Sequence, residues 1–456
     1  MINMRAKVDK PRETALKILY DINEKGAYSN ISLNKYLNNP ELESIDRAFI
    51  TDIVYGTLKW KYTIDYLIEK FSSIKIKKLS PWILNILRMG IYQLNYTDRI
   101  PVSAACNESV KLAVKYGHTA SSKYVNAVLR NIARSKDNLP YPDRSKDTAY
   151  YLSIRYSHPV WMVKDWLDRF GEEFTEGLLK SNNDVAPFTV RVNDLKISKQ
   201  ELLDILEKDG FEVENGKYLD EALIISNPSA VQKMEAFAKG YFQVQDESSI
   251  LVGKVLDPKP GETILDVCSA PGGKSTHIAQ IMKNRGTVIS RDIHEHKIKL
   301  IEQAKERLGL EIIKTEVYDA AVTDNKLEGK IDRVLVDAPC TGFGIIRRKP
   351  DIKWTRNLED KAEIVALQEK ILSTASKYVK NGGVLVYSTC TIEPEENEKA
   401  VEKFIGENKD FYLEDIANLL PDTLRKESCG RGYIQLYPNI DGIDGFFIAR
   451  MRRRSK

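Results

Sequence analysis

The sequence predicts a multi-domain protein with an N-terminal all-α bundle, a small α/β module, and a C-terminal α/β domain whose parallel sheet carries helices on both faces. Three observations predict this class. The chain has 456 residues, enough for two or three domains. Apolar residues recur with helical spacing over residues 1–138. From residue 237 onward, strand-like apolar runs alternate with helical patterns.

The first part, residues 1–138, has the pattern of short amphipathic helices. One predicted buried face follows the i, i+3, i+4, i+7 spacing through Ala15, Ile18, Leu19 and Ile22. Ser80 before Pro81 offers an N-cap followed by proline at the first helical position. About five to seven such helices with brief connections predict a compact bundle.

The middle part, residues 139–236, contains a predicted linker and a small module. We expect the linker over residues 139–156, which begin with two closely spaced prolines. A strand is predicted over residues 188–192. Ser198 and Glu201 have the spacing of a capping box and predict the start of a helix. These elements predict a small α/β module without chemistry of its own.

The third part, residues 237–456, has the signature of strands alternating with helices. Its β-branched runs lie at residues 263–266, 287–290, 333–337 and 383–387. Helical patterns separate these runs, which is typical of a parallel sheet wound on both faces. Ligands of such sheets bind at the carboxyl ends of the strands, so the residues after each run are the candidate functional residues.

Composition indicates a globular protein of the cell interior. The chain is 42% hydrophobic and 29% charged, and no apolar run approaches the ~18 residues that would span a bilayer. Residues 1–7 lack the apolar core of a secretion signal. Five cysteines, an odd number without framework spacing, indicate reduced thiols. We therefore expect a cytoplasmic protein without a membrane partner, and a monomer by default.

Charge is distributed unevenly along the chain. Residues 1–140 contain 22 Lys and Arg against 13 Asp and Glu, a net charge of +9, within a chain whose total is only +4. A basic block at one end indicates a polyanion as the partner of that end. The alternative is a lysine-rich solvated surface without a ligand.

The first strand of the third part leads into a candidate cofactor loop. The run DVCSAPGGK at residues 266–274 places glycines just before a predicted helix near Ser275, where free N–H groups can hold an anion. Asp292 ends the second strand, 19 residues beyond Gly273, close to the offset at which a carboxylate reaches ribose hydroxyls. The loop lacks the G-x-G-x-x-G and G-x-x-x-x-G-K-[ST] patterns, which disfavours NAD and ATP. S-adenosylmethionine fits this pattern, and a tight turn without a ligand is the alternative.

Two cysteines follow two other strands. Cys340 comes after Asp337-Ala338-Pro339, and Cys390 lies 50 residues later, after Ser388-Thr389. Methyl transfer to C5 of a pyrimidine needs a nucleophile at C6, which makes C5 nucleophilic enough to attack a methyl donor; a thiolate supplies that nucleophile. One cysteine can attack while the other assists release, and chemistry alone does not say which one attacks. Inert packing is the alternative for either thiol taken singly.

These motifs together resemble those of the RNA cytosine-C5 methyltransferases, the Nol1/Nop2/Sun group. The resemblance rests on residues 266–274, on Asp-Ala-Pro-Cys-Thr-Gly at 337–342, and on Ser-Thr-Cys-Thr at 388–391. It extends to residues 187–193, 245–249 and 444–449. Residues 101–110 and 124–130 are similar to a NusB-type RNA-binding domain, so the resemblance covers nearly the whole chain.

The resemblance implies the fold and the role of each motif. The domains implied are a NusB-like bundle at 1–138, linker helices and the small module at 139–236, and a Rossmann-like methyltransferase domain at 237–456. Cys390 would be the nucleophile and Cys340 would assist product release, with Asp337 and Lys274 near the target base. The cofactor S-adenosylmethionine would be bound by ten residues: Cys268, Ser269, Ala270, Pro271, Gly272, Gly273, Lys274, Asp292, Asp319 and Asp337. No metal ligand set is expected.

The resemblance also implies the substrate. It favours cytosine 967 of 16S rRNA, free or in an assembling small ribosomal subunit. Basic and aromatic residues after Cys340 predict a surface for phosphates and bases: Phe343, Arg347, Arg348, Lys349, Lys353 and Trp354. The alternative is an ordinary charged loop with one buried tryptophan. The basic tail at residues 450–456 predicts further phosphate contacts.

Other functions stay open at this point. One is a cytosine-C5 methyltransferase for tRNA or 23S rRNA, and another is a non-catalytic rRNA-binding assembly factor. DNA cytosine-C5 methyltransferases attack from a Pro-Cys motif, whereas this chain has both Pro-Cys and Thr-Cys, which favours the RNA type. A dinucleotide oxidoreductase fails on the glycine pattern.

Overall fold

A computed structural model describes residues 8–226, 231 and 234–455 of the chain. Residues 1–7, where no secretion signal is predicted, and Lys456 of the predicted basic tail lie outside the described residues. Contacts between residues divide the chain into two compact units. The first runs to Asp184 and also includes Ile346–Thr355; the second consists of Val185–Ile345 and the chain from Arg356 onward. This division into two units does not test the predicted domain boundaries at residues 138 and 236, which stay a prediction.

The first unit is helical. Its helices are α1 (Lys10–Lys25), α2 (Ser29–Leu37), α3 (Ser44–Lys59), α4 (Lys61–Phe71), α5 (Pro81–Tyr96), α6 (Val102–Tyr116), α7 (Thr119–Arg134), α8 (Thr148–Tyr156), α9 (Val160–Phe170), α10 (Glu172–Ser181) and α16 (Ile352–Thr355). The predicted helical face on α1 is buried, together with the apolar residues of α3, α5, α6 and α7. Among the described residues, no helix is long and apolar enough to cross a membrane.

Local signals in the sequence explain where these helices begin. The Ser80 side chain accepts a hydrogen bond from the backbone of Ile83 at the start of α5, with Pro81 at its first position, as predicted. Asp147 caps α8 in the same way, through the backbone N–H of Tyr150. The predicted linker over residues 139–156 is therefore wrong for its second half, because α8 fills it.

The second unit begins with a small antiparallel sheet. Its strands are β1 (Thr189–Val192), β2 (Val213–Asn215), β3 (Ala222–Ile225) and β4 (Phe242–Val244), in the order β2-β3-β1-β4. Helix α11 (Lys199–Lys208) opens with the predicted capping box of Ser198 and Glu201, and α12 (Glu235–Ala238) precedes β4. The predicted strand at 188–192 and the small α/β module are confirmed.

The large sheet forms the rest of the second unit. Its strands are β5 (Thr263–Asp266), β6 (Thr287–Asp292), β7 (Ile313–Val317), β8 (Ile331–Asp337), β9 (Val379–Thr389), β10 (Phe411–Leu413), β11 (Tyr433–Leu436) and β12 (Phe446–Arg453). Its helices are α13 (Glu247–Leu256), α14 (Gly273–Ile281), α15 (Glu295–Leu308), α17 (Leu358–Ser376), α18 (Glu398–Glu407), α19 (Glu427–Gly430) and α20 (Pro438–Asp441). The strand order is β10-β12-β9-β8-β5-β6-β7, and β11 pairs with β12.

Helices cover both faces of this sheet, as predicted. Ile264 on β5 packs with residues of α13, α14 and α15, whereas its neighbour Leu265 packs with residues of α17 and α18. Strands β5 to β9 pair in parallel. Strand β12, by contrast, runs antiparallel to β9, a pairing that the sequence pattern did not predict. The loops after β5, β6, β7, β8 and β9 meet at the carboxyl edge of the parallel strands, where a ligand would bind.

Candidate active site

A cavity of about 430 Å³ opens at the carboxyl ends of the parallel strands. Of the predicted cofactor residues, it is lined by Cys268, Ala270, Asp292, Asp319 and Asp337. Cys340 and Cys390 line it as well. The cavity therefore brings together one predicted residue or more from each of the loops after β5, β6, β7, β8 and β9.

Other predicted residues shape the cavity without lining it. Ser269, Pro271, Gly272, Gly273 and Lys274 are not among the lining residues. The Ser269 hydroxyl donates to the backbone carbonyl of Arg291 at 2.9 Å, which ties this loop to β6. Gly272 has a φ of +99°, and a Cβ there would lie 3.3 Å from the backbone of Ile301. The sharp turn into α14 thus requires glycine.

Asp266 fixes the start of α14, a role that the sequence analysis did not assign to it. Its carboxylate is fully buried and accepts a hydrogen bond from the Ser275 hydroxyl at 2.6 Å. Burial raises the pKa of Asp266 to about 7, with the negative charge of Asp337 adding to the effect. Its signal in the sequence was the acidic residue that ends an otherwise apolar strand.

Two carboxylates of the cavity are oriented by the loops that carry them. The Asp292 side chain accepts from the backbone N–H of His294 at 3.0 Å, and the Lys297 ammonium lies 3.8 Å from the same oxygen. Asp319 accepts from the backbone N–H of Ala321 at 2.9 Å. Each carboxylate keeps acceptor capacity for the hydroxyl or amino groups of a ligand.

Asp337 forms an ion pair beside the two cysteines. The Lys274 ammonium lies 2.7 Å from one Asp337 oxygen, and the Ser388 hydroxyl donates to the other at 2.9 Å. Lys274 also lies over the ring of Phe446, 5.1 Å from its centroid. The pair is largely buried, so its attraction is less screened than that of a surface pair.

The two cysteine side chains meet at the wall of the cavity. The Sγ atoms of Cys340 and Cys390 are 3.2 Å apart. The hydrogen bond with Cys390, together with burial, raises the pKa of the Cys340 thiol well above its ordinary value. Cys340 therefore keeps its proton and can donate it in a hydrogen bond to a Cys390 thiolate.

A close backbone crossing holds the Cys390 loop in place. Gly344 donates its N–H to the carbonyl of Cys390 at 3.0 Å and accepts from the N–H of Gly445 at 2.9 Å. A Cβ on Gly344 would lie 1.9 Å from the Gly445 carbonyl oxygen, so no other residue fits there. This crossing links the Asp-Gly-Phe-Phe segment at the start of β12 to the loop that carries Cys390.

Three family models match successive parts of the chain. A family model described as 16S rRNA methyltransferase RsmB/F matches residues 253–452. A NusB family model matches residues 9–134, and a ferredoxin-like domain model of RsmF/B-like methyltransferases matches residues 158–232. The chain is 41% identical over 445 residues to the "Probable ribosomal RNA small subunit methyltransferase B" of Bacillus subtilis (strain 168), covering 97% of this chain and 98% of that protein. The chain belongs to the RsmB/F family of 16S rRNA methyltransferases.

Further relatives of this RsmB/F member support the assignment. "Ribosomal RNA small subunit methyltransferase B" of Pectobacterium carotovorum (strain PC1) is 32% identical, with 96% of this chain and 98% of that protein covered. The crystal structure of PH0851 matches with a TM-score of 0.82 at 28% identity, over 98% of this chain and 99% of that one. NSun6 from Pyrococcus horikoshii, solved with SFG, matches with a TM-score of 0.57 at 26% identity, over 64% and 97%.

These findings confirm the three-part fold and the type of enzyme. The RsmB/F member has a NusB-like helical part, a ferredoxin-like module and a C-terminal methyltransferase domain. It is an S-adenosylmethionine-dependent RNA methyltransferase. The assembly-factor and oxidoreductase alternatives are thereby set aside.

The predicted basic and aromatic surface after Cys340 is wrong for most of its residues. Lys353 is buried in the first unit, where its ammonium donates to the carbonyls of Lys59 and Ser157 at 2.8 and 2.7 Å. The Trp354 indole donates to the carbonyl of Leu58 at 2.8 Å. Phe343 and Arg347 are also buried, and Arg348 is partly so. Of the predicted set, Lys349 is the residue that stays exposed.

The basic tail is largely committed to the sheet that carries it. Arg450 and Arg452 of β12 both form ion pairs with Glu414, at 2.5 and 2.7 Å. Arg453 pairs with Asp410 at 3.0 Å. The predicted phosphate contact is therefore wrong for the buried Arg450, whereas Arg452 and Arg453 are partly exposed and their phosphate contacts stay a prediction.

Proposed function

We propose that this enzyme transfers a methyl group from S-adenosylmethionine to C5 of cytosine 967 in 16S rRNA. The transfer proceeds through a covalent bond between Cys390 and C6 of the base. One observation carries the proposal: two thiols 3.2 Å apart lie on the wall of the same cavity as three carboxylates. A methyl donor and a covalently held pyrimidine can meet in such a cavity.

The cavity suits the cofactor in size and in the chemistry of its lining. Asp292 and Asp319 offer oxygen acceptors to ribose hydroxyls and to the adenine amine, as the resemblance implies, beside the apolar side chains of Ile293 and Leu367. The segment 268–274 encloses the remaining end of the cofactor. When bound, S-adenosylmethionine supplies an electrophilic methyl group on a positively charged sulfur.

Cys390 acts as the nucleophile. Its thiolate attacks C6, forming a C–S bond, and the electron pair of the C5–C6 double bond becomes available at C5 to form the new C–CH₃ bond. The bond between the methyl group and the donor sulfur breaks, and its electron pair stays on that sulfur. A general base then accepts the proton from C5, the C5–C6 double bond re-forms, and the C–S bond breaks with its electrons returning to Cys390. A target base attacked in this way is unstacked from its neighbours.

Cys340, Lys274 and Asp337 support these steps. Because Cys340 keeps its proton, its S–H can donate to the Cys390 sulfur and stabilise the thiolate as it departs from C6. Lys274 and Asp337 form an ion pair on the side of β8 and β9 that carries the cysteines. This pair supplies an ammonium donor and a carboxylate acceptor near the base.

The helical first part would bind the rRNA. Residues 1–140 have a net charge of +9, which favours a phosphate backbone, and the NusB model matches within them. The proposed division into a NusB-like domain at 1–138, a middle part at 139–236 and a catalytic domain at 237–456 follows this assignment. The substrate is 16S rRNA, free or within an assembling small subunit, and the enzyme acts as a monomer.

Methyl transfer from S-adenosylmethionine with a labelled methyl group tests the proposal. The enzyme is incubated separately with unmodified 16S rRNA, 23S rRNA and tRNA, and the labelled nucleotide is located by mass spectrometry. We expect 5-methylcytosine at position 967 of 16S rRNA, none with Cys390→Ala, and a denaturant-resistant protein–RNA adduct with Cys340→Ala.

Each other outcome changes a defined part of the proposal. Label in 23S rRNA or tRNA would keep the chemistry and replace the substrate. An adduct that accumulates with Cys390→Ala instead would exchange the roles of the two cysteines. Label in 16S rRNA only when small-subunit proteins are present would identify the assembling particle as the substrate.

A further inference from the structure

Two adjacent buried residues, Glu396 and Asn397, contact the chain on both sides of the two cysteines. They lie in the turn between Cys390 and helix α18, and both are fully buried in the second unit. The catalytic roles above use neither residue. Neither lines the cavity, so any influence on the reaction acts through the cysteine loops.

Glu396 holds the Cys340 loop. One of its oxygens accepts from the backbone N–H of Thr341 at 2.9 Å, and the other accepts from the Thr341 hydroxyl at 2.6 Å. The Gln368 amide donates both to Glu396 at 2.9 Å and to the carbonyl of Pro339 at 2.8 Å. The residues before and after Cys340 are therefore both tied, directly or through one amide, to this carboxylate.

Asn397 holds the Cys390 loop in the same manner. Its side-chain oxygen accepts from the Thr389 hydroxyl at 2.6 Å, and its amide donates to the carbonyl of Thr391 at 3.1 Å. The same amide donates to the side chain of Gln435 on β11 at 2.7 Å. The residues before and after Cys390 are thus both bonded to one side chain.

A hydroxyl pair joins the two loops directly. The Thr341 and Thr391 hydroxyl oxygens are 2.8 Å apart. Because Thr341 donates its proton to Glu396, Thr391 must donate to Thr341. The chain of donors therefore runs from the Cys390 loop to the Cys340 loop and ends on Glu396. A carboxylate is the natural end of such a chain, because it only accepts.

We propose that Glu396 and Asn397 are positioning residues that fix the separation of the Cys340 and Cys390 thiols. Glu396 has the larger part, since it terminates the network that joins both loops. The effect on catalysis rests on the proposed function, whereas the effect on thiol geometry does not. Misplacing a reacting group by about 1 Å can cost on the order of 10²-fold in rate, so a small shift of either loop is enough to matter.

Thiol geometry is measured first, without RNA or cofactor. Phenylarsine oxide reacts with two neighbouring thiols to form two As–S bonds and release water, so its affinity reports their separation. We expect Glu396→Gln, which places an amide among donors, to weaken this affinity by at least about tenfold, a cost of roughly 1.4 kcal/mol. Cys340→Ala lacks the thiol pair and therefore gives the background level of phenylarsine oxide binding.

Glu247 offers a matched control in the same unit. It is equally buried and accepts three backbone N–H groups, those of Lys217, Tyr218 and Leu219, at 2.9, 2.8 and 2.9 Å. Glu247→Gln should therefore reduce the free energy of unfolding as Glu396→Gln does, yet leave arsenical affinity at its wild-type value. An equal loss in both variants would assign Glu396 a merely structural role and overturn the proposal.

Catalytic consequences are measured on the full-length enzyme with 16S rRNA. If Cys340 assists release, Glu396→Gln should lower kcat by about 10–100-fold with an unchanged KM for S-adenosylmethionine, and the covalent adduct should accumulate. Wild-type kcat and wild-type arsenical affinity in Glu396→Gln would together overturn the proposal. A missing adduct with altered arsenical affinity would instead count against the proposed function alone.

Variants at Thr341 keep the test decisive if Glu396→Gln does not fold. Thr341→Val removes only the hydroxyl that links Thr391 to Glu396 and should weaken arsenical binding. Thr341→Ser retains that hydroxyl and the backbone N–H, so its arsenical affinity should equal that of the wild type. Equal affinities for Thr341→Val and Thr341→Ser would show that the network does not set the thiol separation.

Discussion

Two lysines, one in each unit, are held by different kinds of partner. In the second unit, Lys274 lies 2.7 Å from the carboxylate of Asp337. In the first, Lys353 is more deeply buried, and its ammonium donates to the backbone carbonyls of Lys59 and Ser157. Burial, reinforced by the charge of Lys59, lowers the pKa of Lys353 well below its ordinary value.

Two buried histidines repeat the contrast. His277 of the second unit lies 3.5 Å from the carboxylate of Glu221, whereas His158 of the first unit contacts the carbonyl of Tyr156 at 2.7 Å. Burial lowers the pKa of both, and the charge of Lys353 lowers that of His158 further. The difference teaches that a facing carboxylate does not by itself keep a buried group charged, because both imidazoles are neutral near pH 7.

The largest effect, on the rate of methyl transfer, is expected from replacing Lys274, which is paired with Asp337. Under the proposed function, Lys274→Met removes the donor that faces Asp337, and methyl transfer should fall by about 10²–10³-fold, as when a preorganised donor is lost from an active site. Single-turnover transfer to 16S rRNA measures this. Lys403→Met, which removes an exposed pair with Glu369, is the control and should stay near the wild-type rate. A similar rate for both variants would contradict the role of Lys274.

Acid should destabilise the second unit through His277. Its pKa is about 4 in the folded state against an ordinary 6.5, because burial and the nearby Arg191 disfavour the charged form. Between these values the unfolded chain binds the extra proton, so stability is fully present above pH 6.5 and is lost as the pH falls toward 4. The loss attributable to this group is up to about 3 kcal/mol. Amide exchange of β5 and β8 at pH 7 and pH 5 measures it.

His277→Gln supplies the comparison for this pH effect. Glutamine does not titrate, so the pH dependence of the free energy of unfolding of the second unit should be shallower in the variant than in the wild type. An unchanged slope would show that other groups carry the acid sensitivity.

A smaller effect, on stability, is expected from replacing Lys353, whose ammonium donates to backbone carbonyls. Lys353→Met leaves the carbonyls of Lys59 and Ser157 without this donor, and the first unit should lose about 1–3 kcal/mol of stability. All five tryptophans of the chain lie in the first unit, so tryptophan fluorescence during urea unfolding reports that unit alone. Lys349→Met, at an exposed neighbouring position, should change little. If Lys353→Met were more stable than the wild type, the desolvation cost of the buried amine would exceed the stabilisation from its hydrogen bonds.

The smallest change in stability is expected from exposed lysines. Lys75, Lys77 and Lys78 are all exposed in the basic first unit. Changing the three to alanine should alter the free energy of unfolding by less than about 0.5 kcal/mol. If they contact phosphates, the slope of log K for 16S rRNA binding against log salt should decrease by about 2–3. An unchanged slope would place the RNA on another face of this unit.

Much of the candidate site could be predicted because strand ends converge. Asp292, Asp337, Cys340 and Cys390 each follow an apolar run, and the geometry of a parallel sheet alone brings such residues to one edge. The roles of these residues came from the family resemblance, since spacing does not distinguish an attacking thiol from an assisting one.

What escaped prediction depends on partners distant in the sequence. Lys353 lies 196 residues from Ser157, whose carbonyl accepts its hydrogen bond, and a basic residue bound to carbonyls has no local signature. Glu396 lies in a polar run and is 55 residues from Thr341, so periodicity gives no sign of its burial. Strand β12 was missed as a partner of β9 for a similar reason: an apolar run does not reveal whether it pairs parallel or antiparallel.

The discontinuous first unit limits how this protein can be divided or recombined. A fragment ending at residue 184 would lack Ile346–Thr355, and with it the donors from Lys353 and Trp354 to the carbonyls of Ser157, Lys59 and Leu58. A catalytic fragment beginning at residue 185 would instead carry that segment without the helices it packs among. Exchange of domains between relatives, whether in the laboratory or in evolution, must therefore transfer ten residues from the middle of the methyltransferase sequence along with the helical part.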